Sequence, residues 1–335
     1  MRVCICGGGS LGHVCAGVIS SNNDVTLNML SGHPEAWRHV VTAIDPDGKE
    51  YVGKLNCVSN DPSKVCAGQD MILLCLPGYL IEKTLNDIKP YIGEAAVGTV
   101  VSSTGFFFFA HDILGEPARL FGFQRVPYIA RVKEYGKSAL LLGYKSNLAV
   151  AVENIDSPMD FVQNLSRLFL TPTSLLDSFY EAALTNSNPI LHTGRLYTMF
   201  HGRENHVFDH NILFYKEWTD EASQKLIEMD KEFFELLVFL KIHSIPTLLE
   251  YYDSFDAASL TRKISSIPAF QSIASPMKQV ECGWVADYHS RYFTEDFPYG
   301  LRFIKQLAHL YCISTPVIDE VYDWGIDCCN QDVVV

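Results

Sequence analysis

The chain has 335 residues, 48% of them hydrophobic, enough for two separately cored domains and too apolar for a disordered protein. Its 26 basic and 39 acidic residues leave a formal charge of −13, which argues against general binding to nucleic acid or to an anionic membrane. The 10 cysteines include no C-x-x-C pair and no basic-then-apolar leader opens the chain, so reduced, mostly buried thiols and a cytoplasmic location are expected.

Residues 3–6, Val-Cys-Ile-Cys, read as a buried strand running into Gly7-Gly-Gly-Ser-Leu-Gly12. Gly7, Gly9 and Gly12 have the spacing of a dinucleotide-binding turn: the first allows the tight bend, the second leaves room for a pyrophosphate, and the third lets the next helix pack close to the strand. The residues that follow, to Ser20, are small and apolar enough for such a helix. A bare structural glycine turn is the alternative. A second strand is expected over 24–30, ended by Ser31-Gly-His-Pro34. The Asp45-Pro-Asp-Gly48 turn between two β-prone runs predicts a small antiparallel excursion that includes 53–57.

Residues 70–77, Asp-Met-Ile-Leu-Leu-Cys-Leu-Pro, read as a buried parallel strand stopped by proline and glycine. A helix over 81–88 and a strand over 96–101 follow, then a phenylalanine-rich loop. The apolar stretch 95–110 is too short, and too interrupted by residues 102–105, to span a membrane. Further strands are expected near 119–123, 138–143 and 148–152. This alternation predicts an α/β fold with a doubly wound, Rossmann-type sheet over residues 1–173. From 174 to 335 the pattern turns to amphipathic segments, clearest over 221–240, and a mainly α-helical second domain is expected.

Cofactor contacts are expected from Gly7, Gly9, Ser10, Leu11 and Gly12, from Leu76 and Pro77 at the end of the 70–77 strand, and from Ser31, His33 and Arg38 after the second strand. No acid stands at Ser31-Gly-His33, where many NAD sites place one for the ribose hydroxyls. That absence, with donors available for a 2′-phosphate, favours NADP(H). Glu35 keeps NAD(H) open.

Two stretches of the second half stand out. Asn188-Pro-Ile-Leu-His192 places a proline in the first turn of a helix and His192 one turn inside; a proton donor and an ordinary cap or core histidine both fit that position. Arg291-Tyr-Phe-Thr-Glu-Asp-Phe-Pro-Tyr-Gly300 gathers a guanidinium, two carboxylates and two tyrosines, readable as site residues or as a surface turn with ion pairs.

With these two motifs, Gly7–Gly12, Gln124-Arg-Val-Pro127 and Phe214-Tyr-Lys-Glu-Trp218, the chain resembles the octopine and nopaline, or opine, dehydrogenases along nearly its whole length. The resemblance implies a Rossmann-type domain followed by a helical domain like that of 6-phosphogluconate dehydrogenase. It further implies NAD(P)H-dependent reductive condensation of an amino acid with a 2-oxo acid. Carried over by motif, His192 matches the catalytic histidine, Asp296 its aspartate partner and Arg291 the substrate-binding arginine. An aspartate on the far ring nitrogen would fix the tautomer of His192 and stabilise its imidazolium, and Arg291 would clamp a carboxylate at two points. No metal is required. A homodimer stays open. A simple 2-oxo acid or ketone reductase of the ketopantoate reductase or glycerol-3-phosphate dehydrogenase type, with Lys137 or Lys145 as catalyst, is one alternative; a non-catalytic NADP(H) sensor is another.

Overall fold

Strand β1 (Arg2–Cys6) is buried along four of its five residues and sits at the middle of an 11-stranded sheet. The computed structural model describes residues 1–185 and 187–330, and the chain divides into two compact units, 1–185 and 186–335. Asn186, next to the start of the Asn188–His192 motif, lies outside the described residues.

The first unit alternates strands and helices in chain order. After β1 come α1 (Ser10–Ser20), β2 (Thr26–Leu30), β3 (Val40–Ile44), β4 (Glu50–Ser59), α2 (Pro62–Val65), β5 (Met71–Leu74), α3 (Gly78–Ile88) and β6 (Ala96–Thr99). Then follow α4 (Phe106–Leu114), β7 (Leu120–Phe123), β8 (Tyr128–Glu134), β9 (Ser138–Tyr144), β10 (Leu148–Glu153), α5 (Pro158–Leu168), β11 (Thr173–Leu175) and α6 (Phe179–Leu184). The order across the sheet is β11-β10-β7-β6-β5-β1-β2-β4-β3-β9-β8. From β7 through β1 to β4 every neighbour is parallel, and strands buried on both faces read as unbroken apolar runs for that reason. The Asp45–Gly48 turn joins β3 to β4 as an antiparallel pair, which is the excursion expected from the sequence.

Two segments depart from expectation. Phe106–Leu114 is helix α4 rather than a loop, and Phe106, Phe107, Phe109 and Ala110 are buried. A helix with so much of its circumference covered has no polar face to reveal its period. Strand β8, absent from the sequence reading, is the outer edge of the sheet and carries Arg131, Lys133 and Glu134, the charge pattern expected of an edge. The first unit runs to Thr185 rather than 173, because β11 pairs with β10.

The second unit is mainly helical: α7 (Asn188–Phe200), α8 (Asp220–Phe239), α9 (Leu248–Tyr251), α10 (Ala257–Ser266), a hairpin of β12 (Met277–Val280) and β13 (Gly283–Ala286), α11 (Arg291–Thr294), a π-helical turn (Phe297–Leu301), α12 (Arg302–Leu310) and α13 (Pro316–Cys329). The Thr219 side chain caps α8 at Ala222, with Asp220 and Glu221 in the first turn favouring the positive end of the helix. Glu232 on α8 accepts from the amides of Val317 and Ile318, closing the start of α13. Among the described residues no helix is long and apolar enough to cross a membrane.

Candidate active site

In the first unit, the turn after β1 forms a nucleotide cradle. Gly7 has φ +117°, and a Cβ there would lie 2.5 Å from the carbonyl oxygen of Cys75; at Gly12 it would meet the Gly7 carbonyl at 1.9 Å. Only glycine allows that approach of helix to strand. A Cβ at Gly9 would meet nothing within 4 Å, so the space in front of the turn is open. No side chain caps α1, and its first-turn amides, from Ser10, Leu11 and Gly12, are available to an anion. These features fit a dinucleotide's phosphates.

Gly7, Ser31 and Leu76 line one groove of about 530 Å³ with Leu30, Asn60 and Leu80. The 2′-phosphate donors expected from the sequence do not assemble there. Ser31 is buried, and its hydroxyl accepts from the Trp37 indole N–H at 3.0 Å and from the His33 amide at 3.3 Å. The His33 ring lies 3.6 Å from Glu35 on the surface. Arg38 is exposed and does not line the groove.

The sequence reading missed His13, which is fully buried on α1. The amide of Gly136 donates to its Nε2 at 2.7 Å, so the proton sits on Nδ1 and is donated to the Gly9 carbonyl at 2.9 Å. The ring also stacks on Trp37, with centroids 4.2 Å apart. His13 thereby fixes the middle of the glycine turn, and burial holds its pKa below the usual imidazole range. A histidine one turn into a glycine-rich helix was the available signal.

In the second unit, His192 stands one turn inside α7, as Pro189 in the first turn predicts. Its Nδ1 lies 2.8 Å from Oδ2 of Asp296 and its Nε2 2.9 Å from the Tyr215 hydroxyl. The side chains of His192 and Asp296 are only 11% and 20% exposed. Phe214 meets the imidazole edge-on at 5.6 Å, and Tyr292 lies 4.7 Å away. Asp296 follows α11 and stands immediately before the π-helical turn, a rare local geometry that often marks functional sites. That turn is pressed against the start of α7: a Cβ on Gly300 would come within 2.9 Å of the Pro189 ring.

The Phe214–Trp218 segment is wrapped around a buried guanidinium. Arg195, one turn after His192, donates to the carbonyls of Phe214 and Glu217 and lies 5.3 Å over the Trp218 ring. Burial draws its pKa down to about 10, so it stays charged at neutral pH. Arg291 opens α11 with an exposed side chain and forms no ion pair among the described residues, which leaves its fork free for a carboxylate. Tyr215 lies in the Phe214–Trp218 motif but was given no role from the sequence, and Arg195 was not singled out.

The rival lysines are poor catalysts by position. Lys137 pairs with Glu134, and Lys145 is exposed beyond β9. One metal-ligand group exists among the described residues: Cys4, Cys6 and Cys66, buried thiols within 4.8 Å of one another. Two of its members, Cys4 and Cys6, are on β1, so the group is in the other unit from the histidine pair.

Comparison with known proteins follows the same division. Residues 175–329 match the family described as NAD/NADP octopine/nopaline dehydrogenase, alpha-helical domain. The opine dehydrogenase of Haliotis discus hannai is 26% identical, with all of this chain and 92% of that protein covered. Octopine dehydrogenase of Mizuhopecten yessoensis is 25% identical over 97% of this chain and 89% of its own length. A solved structure of octopine dehydrogenase with NADH and L-arginine has the same fold, with TM-score 0.86, 24% identity, and 100% of this chain and 91% of that chain covered. Residues 175–329 thus match the octopine/nopaline dehydrogenase helical domain, and the chain is similar to opine dehydrogenases along its whole length.

Proposed function

We propose that this protein catalyses reductive condensation of an amino acid with a 2-oxo acid at the expense of a reduced nicotinamide dinucleotide, giving a secondary amine that carries both carboxylates. The observation that carries this reading is the buried His192–Asp296 pair, held at 2.8 Å within the residues that match the octopine/nopaline dehydrogenase helical domain.

The Gly7–Gly12 turn and the α1 amides would hold the dinucleotide, whose nicotinamide supplies a hydride to the carbon of the C=N bond. The protein's own residues handle binding and protons. Arg291 grips a substrate carboxylate through its free fork. His192 takes a proton as the amine adds to the ketone and returns one as water leaves. Asp296 accepts the Nδ1 proton throughout, fixing the tautomer and opposing the charge of the imidazolium.

The finer choice of cofactor follows from the groove. The groove has no acid at Ser31–His33, but Asp87 is among its lining residues and, among the described residues, no lysine or arginine lines it. A 2′-phosphate would meet a carboxylate and no cationic donor there, which favours NAD(H) over the NADP(H) expected from the missing acid. The free state of all 10 cysteines agrees with a cytoplasmic enzyme.

The test is to mix purified protein with amino acid and 2-oxo acid pairs and with NADH or NADPH, following cofactor absorbance and product mass. The reading requires oxidation that needs both substrates and is faster with NADH. Reduction of the 2-oxo acid alone to a hydroxy acid would replace it with a simple reductase.

A further inference from the structure

Both ring nitrogens of His192 are taken. Because the Asp296 carboxylate can only accept, the Nδ1 proton points to it; Nε2 then carries the lone pair, and the Tyr215 hydroxyl donates to it across 2.9 Å. Nε2 is the nitrogen that the chemistry needs, and a phenolic oxygen covers it.

Tyr215 is not placed to swing aside. It is buried, stacked on Phe270 with centroids 4.5 Å apart, and parallel to Trp218 at 6.1 Å. The turn that carries it is pinned by Arg195 through the carbonyls on either side, those of Phe214 and Glu217. Moving the ring would break this stacking and uncover the carbonyls.

We propose that Tyr215 is the proton-carrying link between His192 and the reacting group of the substrate. The inference rests on the reading under Proposed function and extends its proton path by one residue. When the substrate is protonated, its oxygen or nitrogen takes the hydroxyl proton of Tyr215, breaking that O–H bond. The same phenolic oxygen takes the Nε2 proton of the imidazolium and its O–H bond is restored. One proton has moved from His192 to the substrate, no electrons have changed hands, and Asp296 remains a carboxylate. In the opposite direction each transfer reverses. Burial, with Tyr292, Tyr252 and Asp296 adding to it, keeps the phenol protonated at rest, so the link starts with the proton it must pass on.

Tyr215→Phe tests this, because it keeps the stacked ring and removes only the oxygen. The expected result is a kcat lower by about 100-fold or more, with KM for both substrates and the melting temperature nearly unchanged. The wild-type rate should bow with deuterium fraction in mixed light and heavy water, as two moving protons require, and that curvature should vanish in the variant. The ¹⁵N resonance of His192 Nε2 in the free protein should also move when the oxygen is lost, independently of turnover. A variant with wild-type kcat and the same bowed dependence overturns the link, as does an unmoved Nε2 resonance. His192→Ala in parallel separates the two levels. If it is inactive while Tyr215→Phe is fully active, only the link falls; if it too is fully active, the reading beneath it falls as well.

Discussion

Nδ1 of His192 and Oδ2 of Asp296 meet at 2.8 Å although the two residues are 104 positions apart in the chain. Two local devices close that distance. Pro189 starts α7 so that His192 faces inward one turn later, and the π-helical turn beginning at Phe297 lays Gly300 against the Pro189 ring. The pair is therefore as well placed as this one packing contact.

Gly300→Ala tests that dependence. The added methyl would lie 2.9 Å from Pro189 Cγ, and the rigid ring can move only with the helix. We expect a loss of about 1–3 kcal/mol in stability, the usual cost of overpacking, and a kcat reduced more than tenfold as Asp296 is pushed from His192. Urea unfolding and steady-state kinetics would read both; wild-type values for the two would mean the contact does not set the site.

Arg291→Lys should raise KM for one carboxylate substrate by tenfold or more, since an ammonium cannot offer the two parallel bonds of a guanidinium. The fold should be untouched, the side chain being exposed. An unchanged KM for both substrates would remove Arg291 from binding.

At the nucleotide end, His13→Ala would leave the Gly136 amide and the Gly9 carbonyl without the imidazole that joins them. The expected outcome is an NADH Kd at least fivefold higher, measured by fluorescence titration, with kcat at saturating NADH little altered. Equal affinity would make His13 a packing residue only.

Asp230 gives a pH signature of the helical unit. Burial raises its carboxyl from 3.8 to about 6, despite the bond it accepts from the Leu248 amide. The folded state thus prefers the protonated acid, so this contribution to stability is present below about pH 4 and is lost as pH rises through 6. Its size is about 3 kcal/mol. Asp230→Asn should flatten the urea-derived stability profile over that window; a profile parallel to wild type would contradict the raised value.

Much of this was legible in the residues themselves. The glycine turn, the apolar strands of the parallel sheet and the Asp45–Gly48 hairpin follow from local sterics and from periods of two and 3.6 residues. Helix α4 was hidden because Phe106–Phe109 is apolar on nearly every side, and β8 because an edge strand full of charge resembles a loop. At the site, His192 and Asp296 were visible through their motifs. The roles of Tyr215, inside the Phe214–Trp218 motif, and of Arg195 were not, since a tyrosine and an arginine in a helical region have many ordinary uses and only the fold brings their polar atoms to one imidazole and one turn. The expected grouping of 2′-phosphate donors was hidden for a similar reason: the sequence places His33 and Arg38 near Ser31, but does not show that the His33 ring sits beside Glu35 and that Arg38 does not line the groove.

The most direct measurement is amine-dependent NADH oxidation by His192→Ala beside the wild type, with NADH affinity measured in both. The account predicts a rate lower by about 100-fold or more at nearly equal affinity. Equal turnover in the variant would contradict it.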